Sequence, residues 1–430
     1  MVRRPRVFYG WWMVSAGFLL FFYAGGTFYY GFTSFFNPIR DTFGWSSRNT
    51  AFAFALQSAE GGLAGPLVGI LLDRTGARPL VLAGTIIGGG GLLWLSRINS
   101  LPEFYLAFLL VSCGFSIAVG VALYAAVANW FVHKRALAMG LLAAGYGASG
   151  LLVPVLREAI DAFGWRDTML GIAIGTWVLG LPLGLLIRYR PEDYGLTPDG
   201  SPLADPDPTS ASSPAIGARP VLGGLSAGGA LRTQAFWLLW IGGATIGFSQ
   251  STVMAQIVPY LESVGVSEGA APFAVTGVTV CSLLGRIGFG WMGDFVDKRV
   301  LIAGCAALQC AGVLVLSALQ SAWFILPFAL MYGPGYAGPI PLRPALQADL
   351  YGMKAFGLVS GLLATSWTIS GMIGPPLAGW VYDTSGTYRW AFLAYALIAL
   401  LAIPASLAIR RPEWQARTAV EAEPGLAPDG

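Results

Sequence analysis

Long apolar runs alternate with short polar segments along most of the chain. A helix that crosses a bilayer needs about 20 predominantly apolar residues, and the runs of each half have about that length. In the first half they are Tyr9–Phe36, Asn49–Leu72, Pro79–Ser96, Glu103–Asn129, Arg135–Ile160 and Thr168–Ile187. In the second half they are Gln234–Leu261, Ala271–Gly293, Val300–Leu319, Ala322–Ala345, Phe356–Tyr382 and Trp390–Ile409. The pattern predicts an all-α polytopic membrane protein with about twelve transmembrane helices.

Composition favours the same class and argues against others. Of the 430 residues, 55% are hydrophobic and 11% are charged, whereas soluble domains carry about 25% charged residues. The net charge of +3 comes without a basic run, so we expect the lipid bilayer and no nucleic acid as a partner. The four cysteines lie in apolar runs without metal-ligand spacing. We therefore expect no metal site, no cofactor and no catalytic site, and do not expect an enzyme.

A polar stretch divides the chain into two halves. The segment from Arg188 to Arg232 is rich in Pro, Ser, Gly and Asp, which predicts a flexible linker with a short helix at its end. The predicted units are an N-terminal six-helix bundle (1–188), the linker (189–232), a C-terminal six-helix bundle (233–410) and a tail (411–430). Lysine and arginine are concentrated in the loops on the side of the N-terminus. The other loops hold only Arg40, Arg48, Arg97, Arg166 and Arg389. This asymmetry predicts that the linker and both termini are cytoplasmic.

The two halves resemble each other at an offset of about 220 residues. The sequence GILLDRTGAR from Gly69 corresponds to GWMGDFVDKR from Gly290. Under this repeat Asp73 pairs with Asp294, and Gly140 pairs with Gly361. Parallel repeats of this kind are a layout of secondary transporters, so we expect two pseudo-symmetric six-helix bundles.

Arg286 lies in the middle of an apolar run. Arg286 is in the eighth span, about 12 Å along the helix from Asp294 at 1.5 Å per residue. A fixed positive charge at that depth costs about 2.5 to 3.5 kcal/mol on insertion scales, and it marks a candidate functional site. Its repeat partner is Gly65, so the fold does not demand the charge. A guanidinium matches a carboxylate with two parallel hydrogen bonds. The alternative is a structural charge paired with a carbonyl group or with Glu60.

Glu60 is the corresponding acid. It lies mid-span in the second helix, and its repeat partner is Cys281. Burial disfavours the ionised form of a carboxyl group, so Glu60 is a candidate proton carrier. The alternative is a structural residue, neutral or paired with an arginine.

The loop after the second span contains Gly69, Asp73, Arg74, Gly76 and Arg78 in the order G-x-x-x-D-R-x-G-x-R. It resembles the signature of the major facilitator superfamily, and the resemblance extends over nearly the whole chain. It implies two six-helix bundles around a central cavity that opens alternately to either side of the membrane.

Within that superfamily the chain resembles the monocarboxylate porters and the oxalate/formate antiporter group. The similar stretches are FYGWWMV from Phe8, GRIGFGWMGD around Arg286 and RPEDYGLTPDG after the sixth span. The resemblance puts Arg286 at the position of the group's substrate-binding arginine. Two departures matter. Ser282 stands where animal-type porters carry an aspartate, and the eleventh span lacks the lysine of the oxalate antiporter. One buried cation suits one carboxylate, so we expect a poor fit for a dianion.

The resemblance also assigns roles to residues at the cavity and at the helix ends. Because the first, fourth, seventh and tenth spans line the cavity in this family, aromatic residues there become candidate substrate contacts. These candidates are Tyr124, Tyr332, Tyr336, Tyr29 and Phe28. Trp367 in the eleventh span is a further candidate, and packing is the alternative for each. The charged loops are implied to be gates, through Asp73, Arg74, Arg78, Asp294, Lys298 and Arg299. We expect their carboxylates to pair with arginines across the gap between the bundles.

The sequence therefore predicts a secondary transporter of the bacterial inner membrane that functions as a monomer. We expect it to move a small monocarboxylate such as lactate or pyruvate by alternating access, coupled to protons. The alternative is a multidrug-type exporter, or another organic-anion exporter or antiporter of the same fold.

Overall fold

A computed structural model of the chain describes residues 8–200, 224–264, 266, 271–318 and 322–410. The predicted flexibility of the linker concerns mainly residues 201–223, which lie outside the described residues. The predicted tail at 411–430 also lies outside them. The short helix predicted at the end of the linker is confirmed as Ala227–Leu231.

The described residues are mainly helical, and the predicted spans of both halves are present. In the first half they are α1 (Tyr9–Ser34), α2 (Ser47–Thr75), α3 (Ala77–Leu95), α4 (Leu101–Trp130), α5 (135–163) and α6 (165–186). In the second half they are α7 (Gln234–Ser263), α8 (Ala271–Met292), α9 (Lys298–Ser317), α10 (325–351), α11 (Phe356–Ser385) and α12 (Arg389–Leu407). The tenth helix continues six residues beyond its predicted end at Ala345.

Two kinds of interruption shape these helices. Gly164 separates α5 from α6 with φ +79°, a conformation that glycine adopts without the Cβ clash of other residues. The other interruptions are within spans. Helix α1 contains a π-turn at Gly25–Tyr29, α4 breaks at Gly120 with φ +82°, and α10 consists of Ile325–Ala337 and Pro339–Tyr351. Irregular backbone at membrane depth is tolerated where it lies within protein or lines a cavity, and all three helices face the interior between the halves.

The halves contact each other through two equivalent helix crossings. A Cβ atom at Gly69 or Gly65 of α2 would overlap or crowd the backbone of Gly357 or Gly361 of α11. In the corresponding crossing, a Cβ atom at Gly140 of α5 would overlap the backbone carbonyl of Arg286 in α8. Because these glycines have no side chain, the two backbones approach closely, as at other interfaces between membrane helices. The sequence repeat therefore corresponds to one type of helix crossing that occurs twice, once between α2 and α11 and once between α5 and α8.

Candidate functional site in the central cavity

The Arg286 side chain crosses from the second half to the first. It is 1% exposed, and a Cβ atom at Gly147 of α5 would overlap its guanidinium. Its one hydrogen bond given by the structure is a long one of 3.4 Å from Nη1 to Ser282 Oγ on its own helix. Its Nε has no partner, and no carboxylate pairs with it among the described residues. An uncompensated buried charge is costly, so this site favours an anion.

Tyrosine hydroxyl groups surround that guanidinium. Tyr30, Tyr124 and Tyr146 interact with Arg286 electrostatically. Tyr30 also interacts with Tyr146 and Tyr336, and the ring centroids of Tyr30 and Tyr146 are 5.1 Å apart. The hydroxyls come from α1, α4, α5 and α10, so each half contributes to the cluster. A phenolic hydroxyl can donate to a carboxylate oxygen, so the cluster can orient an anion held by Arg286.

Several predicted contact residues line the cavity between the halves. Tyr124 and Trp367 lie in the wall of a chamber of about 240 Å³. Tyr29 lines an adjoining chamber together with Tyr146, and Tyr336 lines a third with Trp367. The cavity surface is mainly apolar and aromatic, as expected for a small-molecule site.

Two predicted contact residues lie elsewhere. Phe28 is 1% exposed and packs against Phe108 and Phe115 within the first half, at 5.2 and 5.4 Å between ring centroids. Tyr332 is fully buried in the second half, where its hydroxyl donates to the carbonyl of Ser249 at 3.4 Å. Tyr332 and Tyr336 are four residues apart and therefore lie on one face of α10, but that face is shared between the core and the cavity.

The sequence analysis missed two residues beside Arg286, Tyr30 and Tyr146, and one residue of the cavity wall, Arg343. Tyr146 lies in a helix of small residues, LLAAGYGASG, where it was the one large polar side chain; that contrast was the available signal. Arg343 lies near the inner end of the predicted tenth span, on the side where lysine and arginine are concentrated. In the structure it lines the chamber of Tyr124 and Trp367, and its guanidinium lies 5.7 Å from the centre of the Trp367 ring.

Glu60 is held by serines and is not paired with Arg286. Its Oε2 accepts hydrogen bonds from Ser112 Oγ at 2.6 Å and Ser116 Oγ at 3.1 Å, and its Oε1 has no partner. Ser116 also interacts with the hydroxyl of Tyr29. Since Ser116 and Tyr29 both line the cavity, a chain of hydroxyl groups leads from the carboxyl group of Glu60 to the cavity wall.

The predicted gate residues Asp73 and Asp294 bind helix N-termini across the gap between the halves. Asp73 accepts from the backbone N–H groups of Gly357 and Leu358 at 2.8 and 3.0 Å. Asp294 accepts from those of Ala136 and Leu137 at 2.8 and 3.1 Å. We call these two contacts the latch. Helix N-termini stabilise anions through free N–H groups and the helix dipole, so the partners are backbone groups where the sequence analysis expected arginines.

The other charged gate candidates divide between the two halves. Lys298 binds Asp349 at 2.8 Å, and Asp349 also binds Arg135 of the first half at 2.7 Å, so this cluster spans the gap. Arg299 stays within the second half, where it binds Asp297 and the carbonyl of Ile409.

The same end of the molecule carries the last two gate candidates, Arg74 and Arg78, and the latch carboxylate of Asp294. Arg74 and Arg78 are exposed. Burial and the nearby carboxylate of Asp349 raise the pKa of Asp294, whereas its two backbone hydrogen bonds and nearby Lys298 lower it. The net result is a raised pKa. The closed latch therefore holds a carboxylate that is partly removed from water.

The two bundles, the cavity between them and the buried cation define a class of protein, the membrane transporters with an interior site between two six-helix halves. Residues 16–257 and 239–428 match the Major Facilitator Superfamily, and the chain belongs to this family. The predicted fold is thereby confirmed, as is the expectation of a transporter in place of an enzyme.

The curated relatives are carriers of organic anions by name. The chain is 29% identical to mouse "Monocarboxylate transporter 11" over 360 residues, which cover 81% of this chain and 76% of that protein. It is 26% identical to the "Oxalate:formate antiporter" of Oxalobacter formigenes over 390 residues, 87% of each chain. The predicted resemblance to this group is confirmed.

Solved structures agree on the fold. The transporter FucP in its outward conformation matches with a TM-score of 0.72 at 14% identity, over 93% of this chain and 99% of that one. The human organic anion transporter MFSD10 matches with a TM-score of 0.69 at 14% identity, over 94% and 100%.

Proposed function

We propose that the protein carries a small monocarboxylate, such as lactate or pyruvate, across the bacterial inner membrane by alternating access, coupled to protons. The observation that carries this proposal is the buried guanidinium of Arg286, which has no carboxylate partner among the described residues. A substrate carboxylate supplies the missing negative charge and accepts two parallel hydrogen bonds. The names of the relatives support an organic anion as the substrate.

The transport step follows from where the anion binds. Arg286 belongs to the second half, whereas Tyr30, Tyr124 and Tyr146 belong to the first. A carboxylate bound among them therefore contacts both halves at once. The part of a small substrate beyond its carboxylate contacts apolar walls with polar edges, which are formed by Tyr29, Tyr336 and Trp367. Binding favours the arrangement in which both halves reach the anion, which is the differential affinity that shifts a conformational equilibrium.

We further propose that the latch is the cytoplasmic gate. The concentration of Lys and Arg in the loops at this end supports that orientation, with both termini in the cytoplasm. With Asp73 and Asp294 bound to the opposite half, the cytoplasmic entrance is closed. Opening requires both contacts to break, along with the cluster of Arg135, Lys298 and Asp349.

Ligand binding to the purified protein tests this function directly. We expect lactate and pyruvate to raise the melting temperature and to be accumulated by proteoliposomes, because they neutralise Arg286. The neutral analogue lactamide is the matched control, and we expect it to have no effect. Stabilisation by bulky organic cations together with no response to any short carboxylate would instead favour the multidrug-type exporter.

Replacing Glu60 tests the proton coupling. We expect Glu60→Gln to retain exchange of labelled lactate for unlabelled lactate but to lose accumulation driven by a pH gradient, because the amide keeps a hydrogen-bond acceptor and cannot release a proton. Uptake and external alkalinisation in proteoliposomes measure the two activities. Glu158→Gln, at an exposed position, is the control. Full coupling in the Glu60 variant would remove Glu60 from the proton path.

A further inference from the structure

Besides the buried Arg286, Arg343 is a cation that lines the central cavity. It lies six residues before Asp349, about 9 Å deeper along α10 at 1.5 Å per residue, so it is not at the charged helix end. Its side chain is partly exposed to the chamber that Tyr124, Trp367 and Gln347 also line. Among the described residues no carboxylate pairs with it. One hydrogen bond, from Nη2 to the carbonyl of Leu239 at 3.2 Å, ties it to α7.

The chamber around Arg343 has an excess of donors. A guanidinium has five N–H groups, and the contact with Leu239 uses one of them. The indole N–H of Trp367 has no partner. Gln347 is already engaged, since its amide group donates to the carbonyl of Phe356 and its carbonyl accepts from Ser360. A positive charge beside an unpaired donor favours an oxyanion.

The spacing of the two arginines sets the length of a ligand that reaches both. Helices α8 and α10 run side by side, and Gly285, Phe289 and Gly293 face Pro334, Gly338 and Leu342 in that order. Arg286 is therefore level with residue 335, and Arg343 lies eight residues further, about 12 Å along the axis. Both side chains lean toward the N-termini of their helices, so the guanidinium groups keep this axial separation.

We propose that Arg343 is a second anion-binding residue of the transport cavity, and that it binds the far carboxylate of an extended dicarboxylate whose near carboxylate binds Arg286. The proposal rests on the proposed function and widens its substrate class. Each guanidinium–carboxylate contact places the two central carbons roughly 4 Å apart, given N–O distances of about 2.8 Å. At least roughly 4 Å then remains between the carboxylate carbons, which fits a four-carbon dicarboxylate and excludes oxalate from bridging. Tyr124 joins the two subsites, because it lines the chamber of Arg343 and interacts with Arg286.

Competition binding with succinate and labelled pyruvate tests the proposal on the purified full-length protein. We expect succinate to compete with pyruvate in the wild type. We expect Arg343→Gln to weaken succinate binding about tenfold, since a charged hydrogen bond is lost, and to change pyruvate binding less than about threefold. Arg286→Gln should weaken both ligands, and Arg343→Lys, which keeps the charge, should retain part of the succinate affinity.

The outcomes separate the two claims. If wild-type protein binds pyruvate but not succinate, or if Arg343→Gln weakens both ligands equally, Arg343 is a structural anchor of α7 and this inference fails while the proposed function stands. If neither ligand binds the wild type, the proposed function fails and the role of Arg343 fails with it. If Arg343→Gln does not fold, as judged by size exclusion, the affinities of Arg343→Lys for succinate and for pyruvate are compared instead. That comparison then decides whether Arg343 binds the second carboxylate.

Discussion

Replacing Arg286 with alanine is expected to lower carboxylate uptake at least about 30-fold. Truncating one partner of a buried, hydrogen-bonded charge pair costs 2 to 5 kcal/mol or more, which corresponds to about 30-fold to several thousandfold. Arg286→Lys is expected to recover little of the loss. A lysine keeps the charge but cannot form the planar two-bond contact, and its shorter stem leaves the space over Gly147 unfilled. Initial rates of lactate uptake in proteoliposomes measure both effects.

Arg157→Ala is the matched control for this experiment. Arg157 belongs to the same membrane region of the first half but is exposed, so its loss removes a charge of the same type away from the cavity. We expect near wild-type uptake. Unchanged lactate affinity and uptake in Arg286→Ala would remove the anchor of the carboxylate proposal and leave the fold assignment intact.

The fold could be predicted because its main determinants are visible in one sequence. Apolar runs of bilayer length fix the helices, and polar loops fix their ends. The repeat of Gly69 with Gly290, and of Gly140 with Gly361, indicated two equivalent halves. The structure adds the reason for this spacing, since each of these glycines lies where a helix of one half crosses a helix of the other.

The sequence predicted only part of the candidate site, namely the part in which a charged residue stands out from its surroundings. Arg286 stands out because the residues around it are apolar and its repeat partner is glycine. Arg343 was overlooked because it lies near the inner end of the predicted tenth span, on the side where lysine and arginine are concentrated. The helix in fact continues to Tyr351, and this places Arg343 within the membrane-spanning part. Apolar periodicity alone cannot give that result, because prolines are tolerated inside helices that neighbouring helices support.

The latch shows a different limit of the sequence. The repeat predicted that Asp73 and Asp294 have equivalent roles, but the chemical nature of their partners depends on which helix begins opposite them. Helices α5 and α11 begin there, and their first N–H groups have no partners within the helix. A carboxylate satisfies two of these donors at once, so the latch needs no arginine. Asp73 of the first half thus caps a helix of the second half, and Asp294 of the second half caps a helix of the first half.

Removing both latch carboxylates is expected to open the cytoplasmic end. Loss of a helix cap costs about 1 kcal/mol, so Asp73→Ala with Asp294→Ala should favour the cytoplasm-open state by about 2 kcal/mol, or about 30-fold. Spin labels at Thr75 and Lys354, which are exposed on opposite halves, report this as a longer distance between labels in a protein without the native cysteines. Asp297→Ala is the control, because Asp297 caps α9 within its own half, and we expect no change in distance. An unchanged distance distribution in the double variant would mean that the glycine crossings alone keep this end closed.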